Sequence, residues 1–235
     1  MSVRHVVAAA VMIVPLTTVA DALQDAFAAE RRRMVAEQIA SRDVRDPRVL
    51  AAIGDVPRHL FVAPGYQSEA YEDSPLPIGY GQTISQPYIV ALMTELARPR
   101  PGDRALEVGT GSGYQAAVLS RLVSHVYTIE LVEPLGLAAR ERLKSLGYAN
   151  VTVRVGDGYA GWPEMAPFDI IMVTAAPDHI PEPLIAQLKP RGRMVVPVGA
   201  VSAVQELQLV EKDDAGRIRT TRMAPVRFVP LLRAK

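Results

Sequence analysis

The chain has 235 residues, enough for one large α/β domain that buries its own core without covalent staples. It contains no cysteine, which excludes disulfides, thiolate zinc sites and cysteine nucleophiles, so its chemistry rests on oxygen, nitrogen or a bound cofactor. A formal net charge of +1 gives no broad basic footprint for nucleic acid, and the run Arg31-Arg32-Arg33 reads as a solvated helix face.

In chain order, Arg4 precedes an apolar stretch at 6–20, with small-residue sites at Ala20-Asp21-Ala22 and Ala26-Phe27-Ala28. A stretch of about 15 residues is shorter than the ~20 that cross a bilayer, but it suits the core of a signal peptide. Two readings stand for residues 1–28: a signal peptide exporting the protein to the periplasm, or an extension on a cytoplasmic one. Residues 29–235 are expected to form a single domain. Within it, 29–100 carry N-terminal helices and a substrate segment, 101–200 a cofactor-binding core, and 201–235 the C-terminal strands. A helical pattern covers 23–41 through Phe27, Met34 and Ile39. Asp46-Pro47 then reads as an N-cap and first helical residue, opening a helix over 48–53 that stops at Gly54. From 57 to 87 the chain is rich in proline, glycine and tyrosine with little periodicity; so long a connection is expected to be packed as a lid or to be functional.

From Asp103 onward strands and helices alternate. Strands are predicted at 105–108, 126–129, 151–155, 168–173 and 194–198, and helices at 114–122, 134–146 and 183–188. Two last alternating segments, 206–211 and 218–228, flank the turn Asp213-Asp214-Ala215-Gly216. The expected fold is α/β: a doubly wound, mostly parallel, Rossmann-like sheet with an antiparallel C-terminal edge and N-terminal helices. Ligands of such sheets bind beyond the carboxyl ends of the strands.

Gly109-Thr110-Gly111-Ser112-Gly113 lies between a predicted strand and helix, where backbone N–H groups face a ligand and no side chain blocks its approach. The spacing is G-x-G-x-G, not the G-x-G-x-x-G that suits a pyrophosphate. A bare tight turn would need the same glycines. Glu130, 17 residues beyond Gly113, ends the second strand where a carboxylate can accept from a ribose diol. Asp157, between Gly156 and Gly158, ends the third; it is expected to accept from an adenine amino group, with Gly158 giving backbone room. A plain strand-end acid and a turn aspartate are the alternatives.

The segments Ala105-Leu-Glu-Val-Gly-Thr-Gly-Ser-Gly-Tyr114 and Phe168-Asp-Ile-Ile-Met-Val-Thr-Ala-Ala-Pro177 resemble protein-L-isoaspartate O-methyltransferases. So do Leu76-Pro-Ile-Gly-Tyr-Gly-Gln-Thr-Ile-Ser-Gln-Pro-Tyr88 and Val226-Arg-Phe-Val-Pro-Leu231, so that the similarity runs from about residue 34 to 231. The glycine motif is shared by many methyltransferases, whereas the segment 82–87 is far more specific. The resemblance implies transfer of a methyl group from S-adenosyl-L-methionine to the α-carboxylate of L-isoaspartyl residues in damaged proteins and peptides. The ester then cyclises to a succinimide whose hydrolysis returns some normal aspartate.

A carboxylate with a pKa near 4 is ionised at neutral pH, so no general base is required. By resemblance and by chemistry Ser85 is the expected catalytic residue, donating to one carboxylate oxygen and leaving the other free to attack. Ser85 also stands where a helix N-cap would. Thr83 is expected to line the same pocket, His59 and His179 receive no role, and no metal is implied. A monomer is expected, with isoaspartyl-containing proteins and peptides as partners, no nucleic acid and no stable membrane association. The rivals are a methyltransferase of RNA or small molecules, a nicotinamide dehydrogenase, and a non-catalytic binding module.

Overall fold

The computed structural model describes residues 26–200 and 203–234. The apolar stretch at 6–20, the site at 20–22 and the start of the first helical pattern lie outside the described residues. The first helix, α1 (Ala28–Arg33), runs on into a π-helical segment, Met34–Ala40, that buries Met34 and Ile39 completely. The basic run is not uniformly a solvated face. Arg32 and Arg33 are exposed, but Arg31 is half-buried and its Nε donates to the Gly54 carbonyl at 2.7 Å. That bond pins α1 to α2 (Pro47–Asp55), which continues through Gly54 where the sequence predicts a stop.

Asp46 caps α2 as expected, its carboxylate accepting from the Arg48 N–H at 2.9 Å. Asp46→Ala is expected to cost about 1 kcal/mol, a fall of roughly 2–4 °C in melting temperature for a domain of this size. Differential scanning calorimetry checks it; an unchanged melting point would show the cap to be idle.

The proline- and glycine-rich stretch is packed. Two short 3₁₀ turns, Arg58–Phe61 and Pro64–Glu69, lead into a hairpin of β1 (Leu76–Gly79) and β2 (Gln82–Ile84). Arg58 is fully buried at the centre of the stretch, donating to the carbonyl oxygens of Ala70 at 2.7 Å and Ser74 at 3.3 Å. The hairpin delivers the chain to α3 (Pro87–Ala97).

The core is a seven-stranded sheet in the order β5-β4-β3-β6-β7-β8-β9. Its strands are β3 (Arg104–Val108), β4 (His125–Glu130), β5 (Val151–Val155), β6 (Phe168–Val173), β7 (Leu188–Val198), β8 (Gln205–Lys212) and β9 (Ile218–Val226). Strands β3 to β7 pair in parallel, and β7-β8-β9 are antiparallel. The crossovers are α4 (Tyr114–Ser120), α5 (Glu133–Ser145) and α6 (Glu182–Gln187).

Side-chain alternation explains the double winding. Ala105, Ile170, Met172 and Val195 pack on one face with Val90, Met93 and Leu119 of α3 and α4. Leu106, Val108, Ile171, Val173 and Met194 pack on the other with Trp162 and Leu184. Strand β7 is longer than predicted because Pro190 and Gly192 do not end it. They sit in a bulge where the β6–β7 register shifts, with Arg191 in the left-handed region at φ 63°.

Candidate active site

The switch in strand order at β3 places three loops over one pocket, and Gly109, Gly111, Glu130 and Gly158 line it, whereas Gly113 faces the Leu143 side chain behind the turn. Gly109, Gly111 and Gly113 have φ values of 100°, 52° and 90°, so all three need glycine's freedom. At Gly109 the need is also steric, since a Cβ there would come within 2.5 Å of Thr174 Oγ1. The Thr174 hydroxyl donates to the Gly109 carbonyl at 2.6 Å, fastening the turn to the end of β6.

Glu130 is almost fully buried at the end of β4. One of its carboxylate oxygens accepts from the Gly111 N–H at 2.8 Å and the other from the Val132 N–H at 2.9 Å. The acid thus holds the glycine turn open and still lines the pocket. Among the described residues it is the only charged side chain that does so. One carboxylate and no cation is a poor setting for a pyrophosphate, which calls for positive partners, and a good one for a nucleoside carrying a sulfonium.

Asp157 does not line the pocket. Its carboxylate accepts from the Tyr159 N–H at 2.9 Å and from the Ala234 N–H at 3.2 Å, so it turns the chain after β5 and ties down the C-terminal segment. Gly158 lines the pocket and packs tightly on β3, where a Cβ would reach Val108 at 2.4 Å. The C-terminal segment is itself a wall of the pocket through Val229, Pro230, Leu231 and Leu232. It is held to the loop after β6 by Ala176 N–H donating to Val229 O at 2.8 Å and Leu231 N–H donating to Ala176 O at 2.9 Å. Arg233 stacks on the Tyr159 ring, 3.9 Å from its centroid.

Glu107 was not among the predicted site residues. It lies one residue before Val108 of the pocket wall and is completely buried, with Oε1 lacking any partner. Its other oxygen accepts from Thr128, whose hydroxyl meets that of Thr110 in the glycine turn at 2.7 Å. The signal was present in sequence: an acid in the middle of a strand covered on both faces must have a purpose.

Burial pushes the Glu107 carboxyl up to about 8. The folded protein therefore holds a proton there that the unfolded chain gives up near pH 4.5, and stability falls as pH rises from about 4.5 to about 8. Glu107→Gln, which keeps the shape and the neutral state, is expected to melt higher than the parent at pH 8.5 and much closer to it at pH 5. Parallel melting curves at both pH values would show that Glu107 ionises freely in the fold.

Ser85 stands between two spaces. It lines the donor-type pocket and a neighbouring groove of about 550 Å³, which also share Thr83, Thr174 and Val229. Gln86, not Ser85, is the N-cap of α3, and it makes no side-chain cap bond. No hydrogen bond ties the Ser85 hydroxyl to another described residue, so the capping alternative does not hold. The groove is walled by Tyr88 and Ile89 of α3 on one side and Val226 and Phe228 on the other. Neither singled-out histidine reaches either space. His59 is buried against Phe27 with Nδ1 2.6 Å from the Tyr71 hydroxyl, and His179 is exposed beside Asp178. Among the described residues no cluster of three acids or histidines could hold a metal, and no helix is long and apolar enough to cross a membrane.

Comparison with known proteins agrees with this geometry. The profile of the family described as protein-L-isoaspartate(D-aspartate) O-methyltransferase matches residues 29–235. The chain is 64% identical over 186 residues to protein-L-isoaspartate O-methyltransferase 2 of Polaromonas sp., covering 79% of this chain and 88% of that one. It is 57% identical over 220 residues to protein-L-isoaspartate O-methyltransferase 1 of Cupriavidus necator, covering 90% and 85% respectively. A solved protein-L-isoaspartate O-methyltransferase superposes with a TM-score of 0.77 at 33% identity, over 85% of this chain and 65% of that one. A Plasmodium falciparum crystal structure in complex with S-adenosyl-L-homocysteine superposes with a TM-score of 0.75 at 26% identity, over 86% of this chain and 98% of that one. A glycine turn braced by a strand-end carboxylate, a groove meeting it at a serine, and these likenesses converge: the chain belongs to the protein-L-isoaspartate(D-aspartate) O-methyltransferase family.

Proposed function

We propose that this protein methylates the free α-carboxylate of L-isoaspartyl residues in damaged proteins and peptides, using S-adenosyl-L-methionine. The observation that carries the reading is the position of Ser85, whose uncommitted hydroxyl stands where the cationic-ligand pocket opens into a groove wide enough for a peptide. The cofactor supplies an electrophilic methyl group on a sulfonium. Gly109 and Gly111 would admit it closely, with Gly113 shaping the turn behind them, Glu130 would accept from its ribose hydroxyls, and Gly158 would leave room beside its base. Asp157 serves the site through the C-terminal segment that it fastens.

On the acceptor side the nucleophile arrives already ionised, so no general base is required. Ser85 donates to one carboxylate oxygen and turns the other toward the methyl group, with Thr83 beside it. Orientation is then the main source of rate, since effective molarities of well-aligned groups reach ~10⁵ M or more. The apolar wall of Val229 to Leu232 limits the access of water to the methyl group.

The deciding experiment is radiolabelled methyl transfer to matched isoaspartyl and aspartyl peptides. Label is expected in the isoaspartyl peptide alone, and equal labelling of both would overturn the reading. The protein is proposed to act in the cytoplasm, where its methyl donor is made, and as a monomer. N-terminal sequencing of the native protein and its sedimentation coefficient test these two points.

A further inference from the structure

At the opposite end of the strands from the donor pocket lies a second groove, of about 810 Å³, that the proposed reaction does not use. Seven basic and four acidic side chains line it. The two sites are separated by at least the length of β3, roughly 13 Å for four strand steps. The sheet presents a row across three strands here: Arg193 of β7 pairs with Glu211 of β8, which pairs with Arg219 of β9. Above the row ends α3, with Arg193 donating to the Leu96 carbonyl at 2.9 Å, and Arg98 and Arg100 follow directly.

The acids of the groove are already engaged. Glu211 is taken by Arg193, Asp213 by Arg217, Asp169 by Lys189, and Asp103 by the Arg100 backbone N–H. Among the described residues, Arg98, Arg100 and Arg219 have no carboxylate partner. The surplus is felt by their neighbour: burial first, and then repulsion from Arg98 and Arg100, depress the Arg193 pKa despite the help of Glu211. Stability alone does not ask for this arrangement. Arg98 occupies the left-handed position after α3, at φ 49°, where glycine is the usual residue, and a single cation would serve the helix C-terminus.

We infer that this groove binds a small molecule carrying two or more phosphate charges, held by the guanidinium groups of Arg98, Arg100 and Arg219. Guanidinium forks match phosphate oxygens two at a time, and the groove has the volume of a small-molecule site. Nucleic acid is the less favoured occupant, because the groove's other cations are already engaged, Arg191, Arg193 and Arg217 in ion pairs and Lys212 on the carbonyls of Ile185 and Leu188, and the chain as a whole is near neutral.

Calorimetric titration of the full chain with pyrophosphate, at constant ionic strength set with chloride, tests the site. Saturable binding is expected, weakened at least tenfold in Arg219→Gln and in Arg98→Gly. The second variant separates binding from folding: glycine prefers the left-handed backbone at that position, so its melting temperature should equal or exceed the parent's. Methyl transfer should be unchanged in both. Heat that merely follows ionic strength, binding of equal strength in the variants, or retention on duplex DNA that pyrophosphate does not displace would each overturn the proposal.

Discussion

Glu130→Ala is expected to weaken S-adenosyl-L-homocysteine binding by roughly 100- to 1000-fold, measured by calorimetry on the purified protein. The acid acts twice. It holds the Gly111 and Val132 N–H groups in place, and in the proposed complex it accepts from the ribose hydroxyls. Each hydrogen bond to a charged group is worth about 1.5–3 kcal/mol, and losses within one network do not simply add, so ~3–4 kcal/mol is a reasonable sum. Glu130→Gln keeps one acceptor oxygen and should fall between. Affinity equal to the parent's in Glu130→Ala would remove this residue from the site.

Ser85→Ala should produce the complementary signature. Donor affinity stays as it was, while kcat on an isoaspartyl peptide drops roughly 10- to 150-fold, the worth of one hydrogen bond to a charged oxygen. Because Ser85 does not cap α3, the melting temperature should move little. A loss confined to KM would mean that the hydroxyl only holds the peptide and does not aim the attacking oxygen. Unchanged turnover would dismiss the orienting role altogether.

The fold was legible wherever one physical signal dominated. The strands at Val151–Val155 and Phe168–Val173 were bounded correctly because the first alternates valine with polar residues, the second is mostly apolar, and turn residues close both. The α2 cap was legible because Asp46-Pro47 combines a side-chain acceptor with a fixed φ. The misses came from tertiary contacts that override local preference. Gly54 reads as a helix end, yet its carbonyl is claimed by Arg31, 23 positions earlier, and the helix runs on. The fifth strand was expected only from residue 194, yet β7 begins at Leu188, and a bulge absorbs Pro190 and Gly192.

The site divides in the same way. The glycines and Glu130 are visible because backbone conformation and strand position leave their mark on residue type. Asp157 shows where that logic ends. Its place at the tip of β5 suggested a contact with the base, but its carboxylate is shared between the Tyr159 N–H, the turn that the sequence also offered, and the Ala234 N–H 77 positions away, a partner that no local pattern announces.

That long-range clasp has a kinetic consequence. Whatever lies under the segment from Val229 to Leu232 leaves only as fast as the clasp lets go, and the fastening consists of a few ordinary hydrogen bonds and one arginine stacked on an aromatic ring. Such a segment opens without unfolding the sheet beneath it. Exchange of a ligand held there is therefore expected to follow that opening, as a step separate from bond making, and the off-rate of S-adenosyl-L-homocysteine should rise when the Arg233 side chain is removed.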